Sequence, residues 1–232
     1  MRPAVIGQMG MSMRIPKNFA VAIAAGLAAT TITVFTQAGA DQNSDTPVAV
    51  SQADAVFAGG CFWCTEADFD KVDGVLETIS GYTGGSVANP SYEQVTRGNT
   101  GHYEAVRVIY DPSVVTFDEL VDYYWRTIDP TNPNGQFCDT GPSYRTAIFV
   151  ETPQEREIAE ASLAELVEGD TLPAPIVTQI IDQETFWPAE DYHQNYYIEN
   201  RQRYEFYRAR CGRDQRIDQV WANTPPLDHA EH

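Results

Sequence analysis

Residues 53–72 read ADAVFAGGCFWCTEADFDKV, and the change of character at the paired glycines decides how the chain is organised. Ala53 to Ala58 is a short strand, broken by Gly59-Gly60. Cys61 to Val72 reads as a helix, closed by Asp73-Gly74. A strand that passes through two glycines into a helix puts Cys61 on the first helical turn. Unpaired backbone N–H groups and the positive end of the dipole stabilise a thiolate there and lower the thiol pKa. Phe62 and Trp63 add an apolar wall beside it. The plainer alternative is a disulfide cysteine at a helix start with two core aromatics.

Outward from this segment the elements alternate. Residues 75–82 form a strand that runs into the turn-rich GYTGG at 81–85. From Glu104 to Tyr110 the side chains alternate, with Glu104, Val106, Val108 and Tyr110 on one face. Glu104 therefore points toward an apolar interior, where burial raises a carboxyl pKa and keeps the proton available to a developing oxyanion. As the first residue of the alternation, it reads equally as a strand-edge carboxylate in solvent. Thr116 and Glu119 make a capping box, and the apolar face of the helix that follows is Phe117, Leu120, Val121, Tyr124, Trp125 and Ile128. Residues 129–143 form a long loop, of the kind that is often functional in a compact domain. A strand near Tyr144 to Val150 leads to a second capping box at Thr152 and Glu155, with Pro153 at the first helical position. Ile176 to Ile181 is a further strand, and Tyr192 to about Arg210 an aromatic, basic helix. The arginines of that helix (Arg201, Arg203, Arg208 and Arg210) read as a solvated face pairing with an acidic body. No helix separates strands 75–82 and 104–110. The expected class is α+β: a mixed β-sheet with packed helices, as a two-layer α/β sandwich of ferredoxin-like type.

The 232 residues suffice for one sizeable core. Fifteen basic side chains against thirty-three acidic ones leave a net charge of −18, which argues against nucleic acid and acidic membrane faces as partners. Arg14 and Lys17 precede an uncharged run from Phe19 to Phe35, and Ala38-Gly39-Ala40 closes it. That is the form of a cleavable secretory signal peptide over 1–40, with a membrane anchor at 19–35 as the alternative. Met11 and Met13 are alternative starts. Cleavage removes Arg2, Arg14 and Lys17, leaving −21, and implies a periplasmic or secreted protein. Residues 41–52 are a flexible linker, 53–212 the catalytic domain, and 213–232 a C-terminal extension, disordered after Trp221.

The stretches GCFWCTEADFDKVDGV, GYTGG, NPSYEQV, GHYEAVRVIYDP and GPSYRTAIF, in that order, closely resemble the peptide methionine sulfoxide reductase A family over about residues 54–212. The resemblance implies that Cys61 is the nucleophile that attacks the sulfoxide sulfur and that Glu104 protonates the leaving oxygen. It implies that Phe62 and Trp63 hold the substrate methyl group, that Tyr92, Asp139 and Tyr144 lie near the oxygen, and that Tyr196 lines the C-terminal part of the pocket. The expected reaction is thiol-dependent reduction of methionine S-sulfoxide in exported proteins, with free methionine sulfoxide as a second substrate. No metal or organic cofactor is implied. A thioredoxin-like dithiol supplies electrons, nucleic acid is no partner, and a monomer is expected.

Reduction of the sulfoxide leaves a Cys61 sulfenic acid that a second thiol condenses with. Family members resolve through either a CxxC partner or a C-terminal cysteine. The resemblance does not decide between them; Cys64, nearest at one helical turn on, is the first candidate, Cys211 the second and Cys138 the third, with a structural Cys138–Cys211 bridge as the alternative. Two other functions fit part of the pattern. A general thiol–disulfide oxidoreductase shares the CxxC at a helix start. A zinc module would use the four cysteines, but Cys138 and Cys211 stand alone and His102 and His193 lack ligand spacing.

Overall fold

A computed structural model describes residues 51–224; the expected signal peptide, the alternative anchor at 19–35, most of the expected linker and residues 225–232 of the expected C-terminal extension lie outside them. The chain runs β1 (Ala53–Gly59), α1 (Phe62–Phe69), β2 (Val75–Thr83), α2 (Tyr92–Thr96), β3 (Tyr103–Tyr110), α3 (Phe117–Arg126), β4 (Gly135–Gln136) and β5 (Asp139–Thr140). It continues with β6 (Thr146–Val150), α4 (Pro153–Gly169), β7 (Gln179–Asp182), β8 (Trp187–Pro188), α5 (Tyr196–Glu199), α6 (Arg201–Cys211) and α7 (Arg213–Val220). Six strands form one sheet in the order β7-β6-β1-β3-β2-β8, and β4 pairs only with β5. Every neighbour in the large sheet is antiparallel except β6 and β7, which the crossover through α4 makes parallel. The class is α+β with a mixed sheet, as the alternation of elements implied.

The period-2 pattern of the strands assigns the two faces. Ala55, Phe57, Val106, Val108 and Tyr110 join the main core with Phe62 and Phe69 of α1 and the apolar stripe of α3. Val56, Ala58, Tyr103, Ala105, Ala147 and Phe149 point the other way, against Phe186. Phe117, Leu120, Val121, Tyr124, Trp125 and Ile128 are all buried, so each contributes about 1.5–3 kcal/mol of apolar transfer. Capping boxes form at Thr116 with Glu119 and at Thr152 with Glu155. A third, Ser91 with Gln94, starts the five-residue α2 that the sequence reading passed over.

Three expectations are corrected. The helix foreseen from Tyr192 to Arg210 is broken: a 3₁₀ turn at Asp191–His193 and α5 precede α6, and Asn195 adopts φ +52° at the first break. The loop at 129–143 contains the small β4–β5 hairpin. The domain does not end at 212, because α7 follows Gly212 and buries Arg213, Val220 and Trp221. Trp221 donates to the Ile128 carbonyl at 3.0 Å, which ties this segment to the end of α3.

Candidate active site

Cys61 is the N-cap residue of α1, 7% exposed, where β1 leaves the sheet. Gly60 makes the turn possible: it sits at φ +86°, and a Cβ there would lie 2.5 Å from Gln136 Cβ. Gln136 is itself fixed, accepting from Asp129 N–H at 2.9 Å and donating to the Asp129 carbonyl at 2.7 Å.

The first amide of α1 does not serve the Cys61 sulfur. Phe62 N–H donates to Glu104 Oε2 at 3.1 Å, and the Cys61 carbonyl accepts from Cys64 and Thr65 N–H at 3.0 and 3.2 Å. This corrects the expectation of a lowered Cys61 pKa. Burial pushes the Cys61 thiol up, reinforced by Cys64 and by the charge of Glu104, and a hydrogen-bonding interaction with Tyr207 offsets only part. Its partner takes the lowering. Interaction with Cys61 brings Cys64 to about 7 against the cost of burial, with help from the guanidinium groups of Arg213 and Arg208. The two thiols titrate as one unit whose first proton leaves near neutrality.

Those cations are built into the fold. Arg213 donates to the carbonyls of Gly59 at 3.2 Å and Thr127 at 2.8 Å, and faces Asp68 Oδ2 at 3.5 Å. Arg208 reaches Asp68 at 2.8 Å and Asp214 at 2.6 Å, and donates to the Tyr204 hydroxyl at 2.9 Å. Arg208 thus turns inward from the arginine-rich face that was expected to be solvated, while Arg201 pairs at the surface with Glu205.

Glu104 shares the face of Val106 and Val108, as its alternation implied, and is 1% exposed. Burial raises its carboxyl to about 8 against the Phe62 hydrogen bond, and the charges of Asp139 and Cys64 raise it further. It is a protonated acid at neutral pH. Tyr144 bears on both Glu104 and Tyr92 through hydrogen-bonding interactions. Asp139, raised mainly by burial, accepts a short hydrogen bond from the Tyr207 hydroxyl.

Aromatic rings close the other side. Trp63 stacks on Tyr196 at 3.7 Å with 6° between planes, and meets Tyr207 edge-on at 5.9 Å. Trp63 Nε1–H donates to His193 Nδ1 at 3.0 Å, which requires a neutral imidazole; burial lowers the His193 pKa accordingly. Phe62 lies 4.9 Å from His193 and 6.4 Å from Tyr92. Glu190 fixes the rim, accepting from the Tyr82 hydroxyl and from Tyr92 N–H, both at 2.9 Å.

Every site residue expected from the sequence is joined in this constellation: Cys61, Phe62, Trp63, Tyr92, Glu104, Asp139, Tyr144 and Tyr196. Cys138 and Cys211 are bridged to each other, so among the described residues Cys61 and Cys64 are the free thiols. Cys138, Asp139 and Cys211 also form the one group placed to share a metal ion among the described residues, but the bridge takes up both sulfurs. Sequence reasoning missed Tyr207, Glu190 and Arg213, and considered His193 only as a metal ligand. Its one available signal was the run of aromatics in 192–207, which it read as a helix face.

The family described as peptide methionine sulfoxide reductase matches residues 53–225. A peptide methionine sulfoxide reductase A of Caulobacter vibrioides is 53% identical over 167 residues, covering 72% of this chain and 84% of the relative. That of Halalkalibacterium halodurans is 49% identical over 72% of this chain and 95% of its own. A peptide methionine sulfoxide reductase MsrA/MsrB of Vibrio cholerae is 43% identical over 86% of this chain, which spans about half (54%) of that longer relative. Among solved structures, methionine sulfoxide reductase A of Corynebacterium diphtheriae superposes with a TM-score of 0.58 at 35% identity, over 65% of this chain and 76% of its own. Reduced Mxr1 of Saccharomyces cerevisiae gives 0.59 at 32%, over 65% and 87%. With the extent of these matches and the signature residues gathered at one pocket, the chain belongs to the peptide methionine sulfoxide reductase A family of oxidoreductases.

Proposed function

We propose that this enzyme reduces methionine S-sulfoxide, in proteins and as the free amino acid, through Cys61. The observation that carries the reading is a buried CxxC thiol pair beside an un-ionised Glu104 and an aromatic box. The sulfoxide methyl group lies against Phe62, Trp63 and Tyr196, and the oxygen toward Glu104, Tyr92 and Tyr144. Cys61 sulfur attacks the sulfoxide sulfur while Cys64, the lower-titrating member of the pair, takes up the Cys61 proton. Glu104 gives its proton to the departing oxygen. Methionine leaves, and the oxygen stays on Cys61 as a sulfenic acid. The Cys64 thiol then attacks that sulfur, forming the Cys61–Cys64 disulfide and releasing water. A thioredoxin-like dithiol returns both sulfurs to thiols.

The site of action follows from two further features. The signal-like 1–40 segment and the Cys138–Cys211 bridge both suit a periplasmic or secreted enzyme that repairs oxidised exported proteins. The order β1-α1-β2-β3-α3-β6, with strands arranged β6-β1-β3-β2, supports the ferredoxin-like two-layer form of the fold.

The test is turnover of the two resolved sulfoxide epimers beside reduction of insulin disulfides. Release of methionine from the S epimer, lost in Cys61→Ser, is expected. Reduction of insulin without any release of methionine would overturn the assignment.

A further inference from the structure

The two cysteines that this chemistry does not use are bridged at the edge of the same site. Cys138 and Cys211 join across a sequence separation of 73. Cys138 immediately precedes Asp139 at the start of β5, and Cys211 ends α6 one helical turn after Tyr207. The disulfide and the Tyr207–Asp139 hydrogen bond are therefore neighbouring rungs between the same two pieces of chain. Both inner rung residues border the chemistry: Tyr207 meets the Trp63 ring edge-on at 5.9 Å and acts on the Cys61 thiol, its hydroxyl hydrogen held by Asp139, whose charge acts on Glu104.

The two pieces are not equally anchored. The β4–β5 ribbon has two residues per strand and joins no larger sheet. A ribbon that short does not sustain itself. Its Gln136 side is anchored through Asp129, and Arg213 lies over the Phe137 ring at 4.6 Å. On the Asp139 side the bridge and Tyr207 add to the ribbon pairing and to the charge of Arg213. The facing helix is fastened by Tyr204, which packs with Cys64, Ala67 and Tyr196, and by Arg208 on Asp68 at 2.8 Å, so the bridge acts chiefly by bringing the Asp139 strand to it.

We propose that Cys138 and Cys211 are positioning residues, whose disulfide holds Tyr207 and Asp139 against Cys61 and Glu104, so that reducing it slackens the active site. The proposal rests on the function assigned above. Cys138 is exposed and Cys211 partly so, whereas Cys61 and Cys64 are buried. A dithiol reductant therefore meets the bridge from solvent. Its thiolate attacks the Cys138 sulfur, and Cys211 leaves as a thiolate that takes up a proton. The second thiol of the reductant then displaces Cys138, which is protonated in turn, and the reductant departs as a disulfide. Two electrons pass from dithiol to bridge, and no other reactant is needed.

The experiment uses the full chain with Cys61 and Cys64 as thiols and the bridge intact, verified by mass mapping. It compares the parent with the double variant Cys138→Ser/Cys211→Ser and with Tyr207→Phe. Single-turnover release of methionine is measured alongside the pH profile of alkylation of the CxxC pair. The groups that act on Cys61 are Cys64 from α1, Glu104 from β3 and Tyr207 from α6, with the hydroxyls of Tyr92 and Tyr144 across the pocket. Of these, Tyr207 favours the thiolate, so its release moves alkylation to higher pH. Both variants are expected to slow methionine release about tenfold, the loss of one buried hydrogen bond, and to show the same alkylation shift. A double variant that melts earlier but keeps the parent rate and alkylation profile would make the bridge a plain staple and sink the proposal. Should that variant fail to fold, mild reduction of the bridge in the parent supplies the same comparison. If the parent itself releases no methionine, the functional assignment falls, and the alkylation profiles still decide whether the bridge positions Tyr207.

Discussion

Replacing Glu104 by Gln separates what this carboxyl costs the fold from what it contributes to the reaction. Glu104 is 1% exposed, and burial, ahead of the charges of Asp139 and Cys64, moves it from an ordinary 4.5 to about 8. A raised folded-state pKa means that the native protein holds this proton more tightly than the unfolded chain does. Its contribution to stability is complete below pH 4.5 and is lost progressively as pH rises to about 8. At about 1.4 kcal/mol per unit, the penalty is about 1 kcal/mol at pH 5 and about 4 kcal/mol at pH 8, as orders of magnitude. Glutamine keeps an oxygen for the Phe62 N–H but has no charge to bury at either pH. Any fixed cost of the new amide cancels when the two pH values are compared. Glu104→Gln should therefore gain about 3 kcal/mol on the parent between pH 5 and pH 8. The same change removes the proton donor, and single-turnover release of methionine should slow by about 10²–10⁴. Urea unfolding at both pH values and rapid-quench release read the two effects. Parallel stability profiles for parent and variant would show that Glu104 is not held protonated, and an unchanged release rate would place the donor elsewhere.

Cys64→Ala should release one methionine per enzyme, more slowly because the group that takes up the Cys61 proton is gone, and then stall, because Cys138 and Cys211 are already bridged; sustained turnover with a dithiol would show that Cys61 is recycled without Cys64. Trp63→Ala removes the ring stacked on Tyr196 and the donor to His193, and KM should rise about tenfold, a loss of about 1.4 kcal/mol, more than kcat falls; an unchanged KM would remove the methyl pocket. Arg208→Gln takes away one of the two cations that favour the Cys64 thiolate, so alkylation of Cys64 should move above its midpoint of about 7. The same variant leaves Asp68 less compensated at 4% side-chain exposure, and a loss of stability of about 1–3 kcal/mol is expected; an unmoved alkylation profile would mean that Arg213 alone sets the field.

The legible parts of the fold were those written in local periodicity. The stripe from Phe117 to Ile128 and the alternation from Glu104 to Tyr110 each depend on a few residues of neighbouring chain, and both faces are buried as read. Where context overrode pattern, the reading failed. Asn195 breaks the aromatic helix at φ +52°, its N–H donating to Glu66 Oε1 at 3.1 Å, a partner 129 positions away. The segment after Gly212 was read as an extension outside the domain because its burial depends on one arginine and one tryptophan meeting the carbonyls of Gly59, Thr127 and Ile128.

The same division runs through the site. Contiguous residues carry the strand–glycine–helix entry of Cys61 and the family signature, so both were legible before any fold was known, whereas the alternation left Glu104 between an apolar interior and a solvent-facing edge. The fold settles that Glu104 is buried and takes the first helical amide, that Cys64 is the more acidic of the two thiols, and that Cys138 joins Cys211. Proton affinity and disulfide partnership depend on burial and on charges brought from distant parts of the chain. Spacing along the sequence does not encode which of those groups will meet.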